Sequence, residues 1–218
     1  AEYARFWVHN GHVTVDGEKM SKSLGNFRLL RDLLEIYPGE VLRLGLLARH
    51  YRAPLNFSER GLEQARSALN GFYRVLRDHA GTPAAKTDPA DNPAFTALLD
   101  DLNTPLAIAE LHRLADALAN ATDPAEAAHR KGRLLTAGAL LGLLQQDPAD
   151  WFQAGTPEGP TAEWIEARIE ARRQARKARD FARSDAIRDE LAAAGILLED
   201  TAEGTRWQRA ETTAPADS

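Results

Sequence analysis

The sequence contains no cysteine, which excludes a disulfide framework and any thiolate metal site within these 218 residues. It has six histidines but no H-x-x-x-H pair, so they show no metal-ligand spacing. No stretch approaches the ~18–20 apolar residues that a membrane-spanning helix needs. The start has no basic segment followed by an apolar run, so it does not read as a secretory signal. Methionine occurs once, at Met20, and the chain starts at Ala1; it is expected to be a fragment or processed product of something longer. Lysine is scarce, five residues beside 22 arginines, yet Lys19 and Lys22 stand three apart. The two cations differ in shape and hydration, so a place that keeps lysine twice points to a need for a compact ammonium. What remains is ordinary for a globular protein: 44% hydrophobic and 27% charged residues, with a net charge of −5. The length suits one large or two small domains with a substantial core.

The hydropathy pattern divides the chain. Residues 6–20 read as strand–turn–strand, with Val13 and Val15 alternating with polar neighbours and Asp16-Gly17 as a two-residue hairpin signal. Residues 21–26 form a polar loop. Leu29, Leu30, Leu33 and Leu34 then share a helical face that Pro38-Gly39 ends, and a second helix runs to about Arg49. Ser58 is positioned to cap a longer helix carrying Leu62, Ala65, Leu69, Phe72 and Leu76. Residues 80–93 hold three prolines and read as a linker. A short helix carries Phe95, Leu98 and Leu99. Thr104-Pro105 starts another, with Thr as cap, and a further helix spans roughly 125–145. Residues 146–161 form a second Pro/Gly-rich linker. Beyond it, an arginine-dense helix begins at Ile165, a second is capped by Ser184 or Asp185 and ends at Gly195, and two short strands close a domain of about 50 residues. No internal repeat is present.

Lys19-Met20-Ser21-Lys22-Ser23, followed by Leu24-Gly25-Asn26, places two ammonium groups and two hydroxyls on a loop between strand and helix. Such a loop suits a polyphosphate, because lysines neutralise charge on transferring oxygens and hydroxyls add hydrogen bonds. The pentapeptide KMSKS resembles the second signature of class I aminoacyl-tRNA synthetases. WVHNGHVTVDGEKMSKSLGNF, HYRAPLNFSERGLEQA, DDLNTPLAIAELHRLA and ARKARDFARSDAIRDELAAAGILLEDTAEGTRW together resemble the bacterial cysteinyl-tRNA synthetases, in one order from about residue 5 to residue 209.

The resemblance implies a mainly α chain with several parts. Residues 1–29 would be the end of a Rossmann-like catalytic domain with its KMSKS strand and loop, and 30–80 stem-contact helices. Residues 81–145 would be a helical bundle, 146–161 a linker, 162–209 a small α+β anticodon-binding domain, and 210–218 a disordered tail. It implies a cytoplasmic ligase that activates cysteine with ATP, accompanied by magnesium, and transfers it to cysteine tRNA, with no membrane partner. Lys19 and Lys22 would be catalytic, with Lys22 on the pyrophosphate, and Met20, Ser21, Lys22 and Ser23 would bind ATP. The family's HIGH signature and its zinc ligands do not occur in this sequence, so no metal is assigned here and the chain alone is expected to be inactive. One alternative is a free-standing tRNA-binding module without catalysis. Another is an ATP-dependent cysteine ligase for a sugar–thiol pathway, which has no use for an anticodon-type domain.

Arg168, Arg172, Arg173, Arg176, Lys177, Arg179, Arg183 and Arg188 lie within 21 residues of an acidic protein, with Trp164, Phe181 and Trp207 as nearby aromatics. Glu166, Glu170 and Asp180 would equally make this a solvated helix face. By the resemblance, Arg176, Phe181, Asp185 and Asp200 match anticodon contacts, with Phe181 replacing the usual tryptophan. Asp185 reads equally as a helix N-cap. Arg49, Arg52 and Arg60 are expected as contacts to the RNA backbone. His9 and His12 flank the hairpin, and His50 is expected to make a structural hydrogen bond.

Overall fold

A computed structural model describes residues 3–21, 29–153, 159–201 and 204–210. The chain divides into two units, Ala1–Gln146 and Asp147–Ser218.

The first unit begins with the hairpin. Strands β1 (Val13–Val15) and β2 (Glu18–Lys19) are antiparallel, pairing Thr14 with Lys19 and Val15 with Glu18. Asp16 and Gly17 between them have φ of 51° and 86°. A two-residue turn of this hand needs positive φ at both central positions, which is why Asp-Gly serves. Strand β3 (Leu55–Phe57) runs parallel to β1, pairing Val13 with Leu55 and Val15 with Phe57. Asn56 fastens the hairpin tip to β3 by accepting the Gly17 N–H at 2.8 Å. Gly11 lies flat against the chain entering β3: a Cβ there would stand 2.1 Å from the Ala53 carbonyl oxygen.

Helices α1 (Leu30–Ile36) and α2 (Gly39–Leu47) flank Pro38. Ser58 caps α3 (Glu59–Asp78), accepting the Gly61 N–H at 3.3 Å, and the expected apolar stripe is buried from Leu62 to Leu76. The bundle continues through α4 (Pro93–Leu99), α5 (Thr104–Ala119) and α6 (Pro124–Leu141), capped by Asn92, Asn103 and Asp123. The cap of α5 is therefore one residue earlier than the sequence pattern suggested. The hydroxyl of Thr104 is engaged elsewhere, donating to the Leu47 carbonyl at 2.8 Å and tying α5 to the end of α2. Gly142, at φ 66°, ends α6 in the left-handed conformation that glycine adopts without strain.

Past Gly142 the chain meets Glu40, which is buried at the start of α2. Its carboxylate accepts the backbone N–H of Leu144 and of Gln145, each at 2.9 Å, and the hydroxyl of buried Tyr73 at 3.0 Å. Burial pushes the Tyr73 phenol well above its ordinary pKa, so it remains a donor.

The second unit opens with a helix where the sequence reads as linker: α7 (Pro148–Gln153), with Trp151 and Phe152 buried. Helix α8 (Ala162–Lys177) is capped by Thr161 and α9 (Phe181–Ala193) by Asp180. Asp185 thus lies inside α9 rather than capping it. Gly195, at φ 74°, turns the chain into β4 (Ile196–Thr201), which pairs antiparallel with β5 (Gly204–Arg209). Ile165, Ile169, Ile187, Leu191, Ile196 and Trp207 form the core between helices and hairpin. Arg209 closes the unit by donating to the carbonyls of Gln153 and Pro160.

Candidate functional site

Arg172 and Arg176 are one turn apart on α8, so both side chains leave the same face and meet β4. Asp200 on β4 receives them. Arg172, buried, donates through both terminal nitrogens to the two carboxylate oxygens at 2.8 and 2.9 Å. Arg176 adds a bond of 3.0 Å to Oδ2, and Thr205, the cross-strand partner of Asp200, donates to Oδ1 at 2.7 Å. A carboxylate offers about four lone-pair sites, so these donors fill it. Bonds from Arg172 and then Thr205 hold the Asp200 carboxyl well below the usual carboxylate range.

The sign of the linkage follows. A carboxyl whose pKa is lowered by folding stabilises the fold above its unfolded pKa of about 3.9, and that stabilisation disappears as pH falls through the folded value. Asp200→Asn is therefore expected to lower the melting temperature of the chain at pH 7, and the gap to the parent should narrow steadily below about pH 4. The effect is modest because Asp200 is nearly half exposed and solvent screens the pair. A gap that stays constant to pH 2, measured by thermal melts, would contradict the pairing.

Arg176 remains half exposed beyond its bond to Asp200. After it the chain turns sharply, with Arg179 at φ 60°, into α9. Phe181, the first residue of α9, has 62% of its surface exposed, and Asp185 lies one turn further on the same face. Asp185 stands 3.8 Å from Arg188, and its charge also reaches Arg172. The α8–α9 corner thus gathers Arg176, Phe181, Asp185 and Asp200. It also presents exposed Lys177, Arg179 and Arg183, none of which is paired with a carboxylate among the described residues. Arg173, by contrast, is paired with Glu170 at 2.8 Å.

Of the three aromatic candidates only Phe181 is offered to solvent. Trp207 is core, its indole N–H donating to Glu166 at 2.6 Å, and Trp164 packs against the same cluster with Arg168 over its ring. A free aromatic face beside guanidinium donors can stack an unpaired base and contact its edge. Sequence reasoning missed the anchoring role of Arg172. The signal available was the Arg172/Arg176 spacing of one helical turn, although their common partner is 24 to 28 residues away.

In the first unit, Lys19 closes β2, and Met20 and Ser21 follow half-buried. Lys22 and Ser23, like Gly25 and Asn26, lie outside the described residues. On the other side of the sheet, Asp101 gathers Arg52 at 2.8 Å, the Tyr51 hydroxyl at 2.6 Å and His50 at 3.8 Å. Donation first from Arg52 and then from Tyr51 brings the Asp101 carboxyl down to about 2. His50 stacks on Tyr51 and accepts the Arg52 N–H through Nδ1 at 3.3 Å.

Comparison with known families accounts for these parts in order. Residues 1–67 match the tRNA synthetases class I (C) catalytic domain, 95–145 the DALR domain, and 161–207 the cysteinyl-tRNA ligase anticodon binding domain. Among curated proteins, the cysteine–tRNA ligases of Paramagnetospirillum magneticum, Rhodospirillum rubrum and Saccharophagus degradans are 52%, 53% and 50% identical, each over 95% of this chain. The chain is similar to the C-terminal portion of the cysteinyl-tRNA synthetases. It spans about half the length of those relatives, 46% of each. The mainly helical fold agrees with the architecture that the family resemblance implies. The α8–α9 corner and Asp200 fall within the stretch matched by the family's anticodon-binding model, and the KMSKS segment falls within its catalytic model. No helix among the described residues is long and apolar enough to cross a membrane.

Proposed function

We propose that this chain serves a cysteine–tRNA ligase, supplying the KMSKS loop for ATP-dependent activation of cysteine and the surfaces that bind cysteine tRNA. The observation that carries the reading is the α8–α9 corner, which presents the exposed Phe181 ring, the carboxylate-anchored Arg176 and cations without a carboxylate partner among the described residues. Arg176, Phe181, Asp185 and Asp200 make up the anticodon site. Phe181 stacks an unpaired base, Arg176 and Asp185 contact base edges, and Lys177, Arg179 and Arg183 meet phosphates. Asp200 acts by fixing Arg176, since its own oxygens already accept bonds from Arg172, Arg176 and Thr205.

Lys19 and Lys22 are assigned to charge on the ATP phosphates, with Met20, Ser21 and Ser23 completing the loop; magnesium accompanies ATP as part of that substrate. No residue of the chain is assigned to zinc. Residues 1–29 would then belong to the catalytic domain, 30–80 to stem contact, 81–145 to the bundle and 162–209 to anticodon binding, in a cytoplasmic enzyme.

The test is a binding titration of the chain with cysteine tRNA and with the same tRNA carrying one altered anticodon base. The expected result is tighter binding of the unaltered tRNA. Equal affinities at every salt concentration would count against the anticodon assignment.

A further inference from the structure

The corner between α4 and α5 is the one place among the described residues where two consecutive non-glycine residues hold positive φ, 51° at Asp101 and 53° at Leu102. Aspartate tolerates that conformation, but leucine adopts it rarely, and such strain persists only where the surroundings fix it. The Leu102 side chain is exposed, so its own packing does not account for it. The corner is fixed from another direction, by two side chains that reach back to the end of α2 and the turn beyond it. The Thr104 hydroxyl donates to the Leu47 carbonyl. The Asp101 carboxylate takes the turn itself. Arg52 donates Nε to Oδ2 at 2.8 Å and Nη2 to Oδ1 at 3.1 Å, a two-point grip, and the Tyr51 hydroxyl adds a bond of 2.6 Å. Arg52, expected from sequence to touch RNA, is thus engaged by a carboxylate.

The turn held in this way seats the KMSKS hairpin. The Tyr51 carbonyl accepts the Gly11 N–H at 2.7 Å, and the Ala53 carbonyl lies so close to Gly11 that no side chain fits there. One residue further, the His12 carbonyl accepts the Leu55 N–H at 2.9 Å, and β1 continues the pairing along β3. Asn56 fastens the hairpin tip, and β2 delivers Lys19, Met20 and Ser21. Each step from Asp101 to Lys19 is therefore a hydrogen bond or a strand pairing within one unit. The Asp101–Arg52 pair is about half exposed, so it adds little to global stability. Its consequence is positional.

We infer that Asp101 is a positioning residue for the KMSKS segment, holding the turn at Tyr51 and Arg52 against Gly11 so that the hairpin ending in Lys19 keeps its place relative to the helical bundle. The inference rests on the assignment of that segment to ATP and adds what holds it. A shift of the α4–α5 corner is thereby passed to the segment that meets the phosphates.

The experiment uses Met20. It is the only methionine of the chain, so a methyl-labelled sample gives one methionine signal, from the KMSKS segment itself. In the full chain, Asp101→Asn should shift that signal and speed exchange of the Gly11 and Leu55 amides by roughly three- to tenfold. Amides in the middle of α3 should exchange as in the parent, and the melting temperature should stay within about 2 °C. Tyr51→Phe, which removes one of the bonds, should move the signal the same way by less. Arg113→Gln, which breaks an exposed pair further along α5, should leave it in place. A Met20 signal and a Gly11 amide unchanged in Asp101→Asn would overturn the positioning role and leave the ATP reading untouched. A general rise in exchange with a large fall in melting temperature would overturn it too, since Asp101 would then only hold the fold. Magnesium–ATP added to the parent separates the two readings. A signal that ignores the nucleotide but moves in Asp101→Asn would support the positioning role and count against the ATP assignment.

Discussion

Glu40→Ala is expected to destabilise the first unit by about 3–5 kcal/mol, the range found when one partner of a buried polar cluster is removed and the others are left without it. Glu40 is buried and accepts from the Leu144 N–H, the Gln145 N–H and the Tyr73 hydroxyl at once. Without it, two backbone donors at the end of α6 and a buried phenol lose a partner that water cannot replace. Leu144, held at φ 60°, also loses one of the bonds that keeps it in that conformation. Glu40→Gln keeps the volume and one carbonyl acceptor but turns an amide donor toward a donor, so it should lie between the parent and the alanine variant. Urea denaturation gives the loss. Hydrogen exchange should show the Leu144 and Gln145 amides opening in Glu40→Ala well before the middle of α3. A loss below about 1 kcal/mol would mean that water or a neighbouring group takes over the carboxylate's role.

The second large effect concerns discrimination. Arg176→Ala should reduce the preference for the unaltered anticodon by roughly tenfold or more, in line with about 1–3 kcal/mol for a lost base-edge contact. Asp200→Asn should produce much of the same loss, because it releases Arg176 from the anchor shared with Arg172. The two changes act through one element, so the double variant should lose little more than Arg176→Ala alone. Lys177→Gln and Arg179→Gln should instead weaken binding to both tRNAs alike and reduce its salt dependence. If Asp200→Asn leaves the preference unchanged while Arg176→Ala abolishes it, Arg176 is not positioned through Asp200.

These effects show where the sequence was legible. Local chemistry was readable: Asp16-Gly17 specifies its turn through backbone sign, and Ser58 caps a stripe whose spacing names the buried residues of α3. The α7 helix was hidden because Pro148 and the flanking Pro/Gly residues resemble a linker, and burial of Trp151 and Phe152 depends on contacts that no local pattern encodes. Thr104 and Asn103 are both good caps; the choice was made by the Leu47 carbonyl, 57 residues away. Asp185 and Trp207 have the same explanation. Asp180 took the cap of α9, and the β5 register turned the indole into the core. Glu40 gave no sign of its importance, since its partners lie 104 and 105 residues downstream. At the candidate site, the four anticodon residues came from resemblance to a family. That Asp200 is saturated by protein donors, and that Arg173 is paired whereas Lys177 and Arg179 have no carboxylate partner among the described residues, emerges only from the folded arrangement.

The most direct test of the tRNA assignment is ultraviolet cross-linking of cysteine tRNA to the full chain, with the joined peptide and nucleotide identified by mass spectrometry. The account predicts that an anticodon-loop nucleotide is joined to the peptide containing Phe181, and that this adduct disappears with Phe181→Ala. Anticodon-loop adducts confined to residues 1–146, with none in residues 162–209, would contradict it.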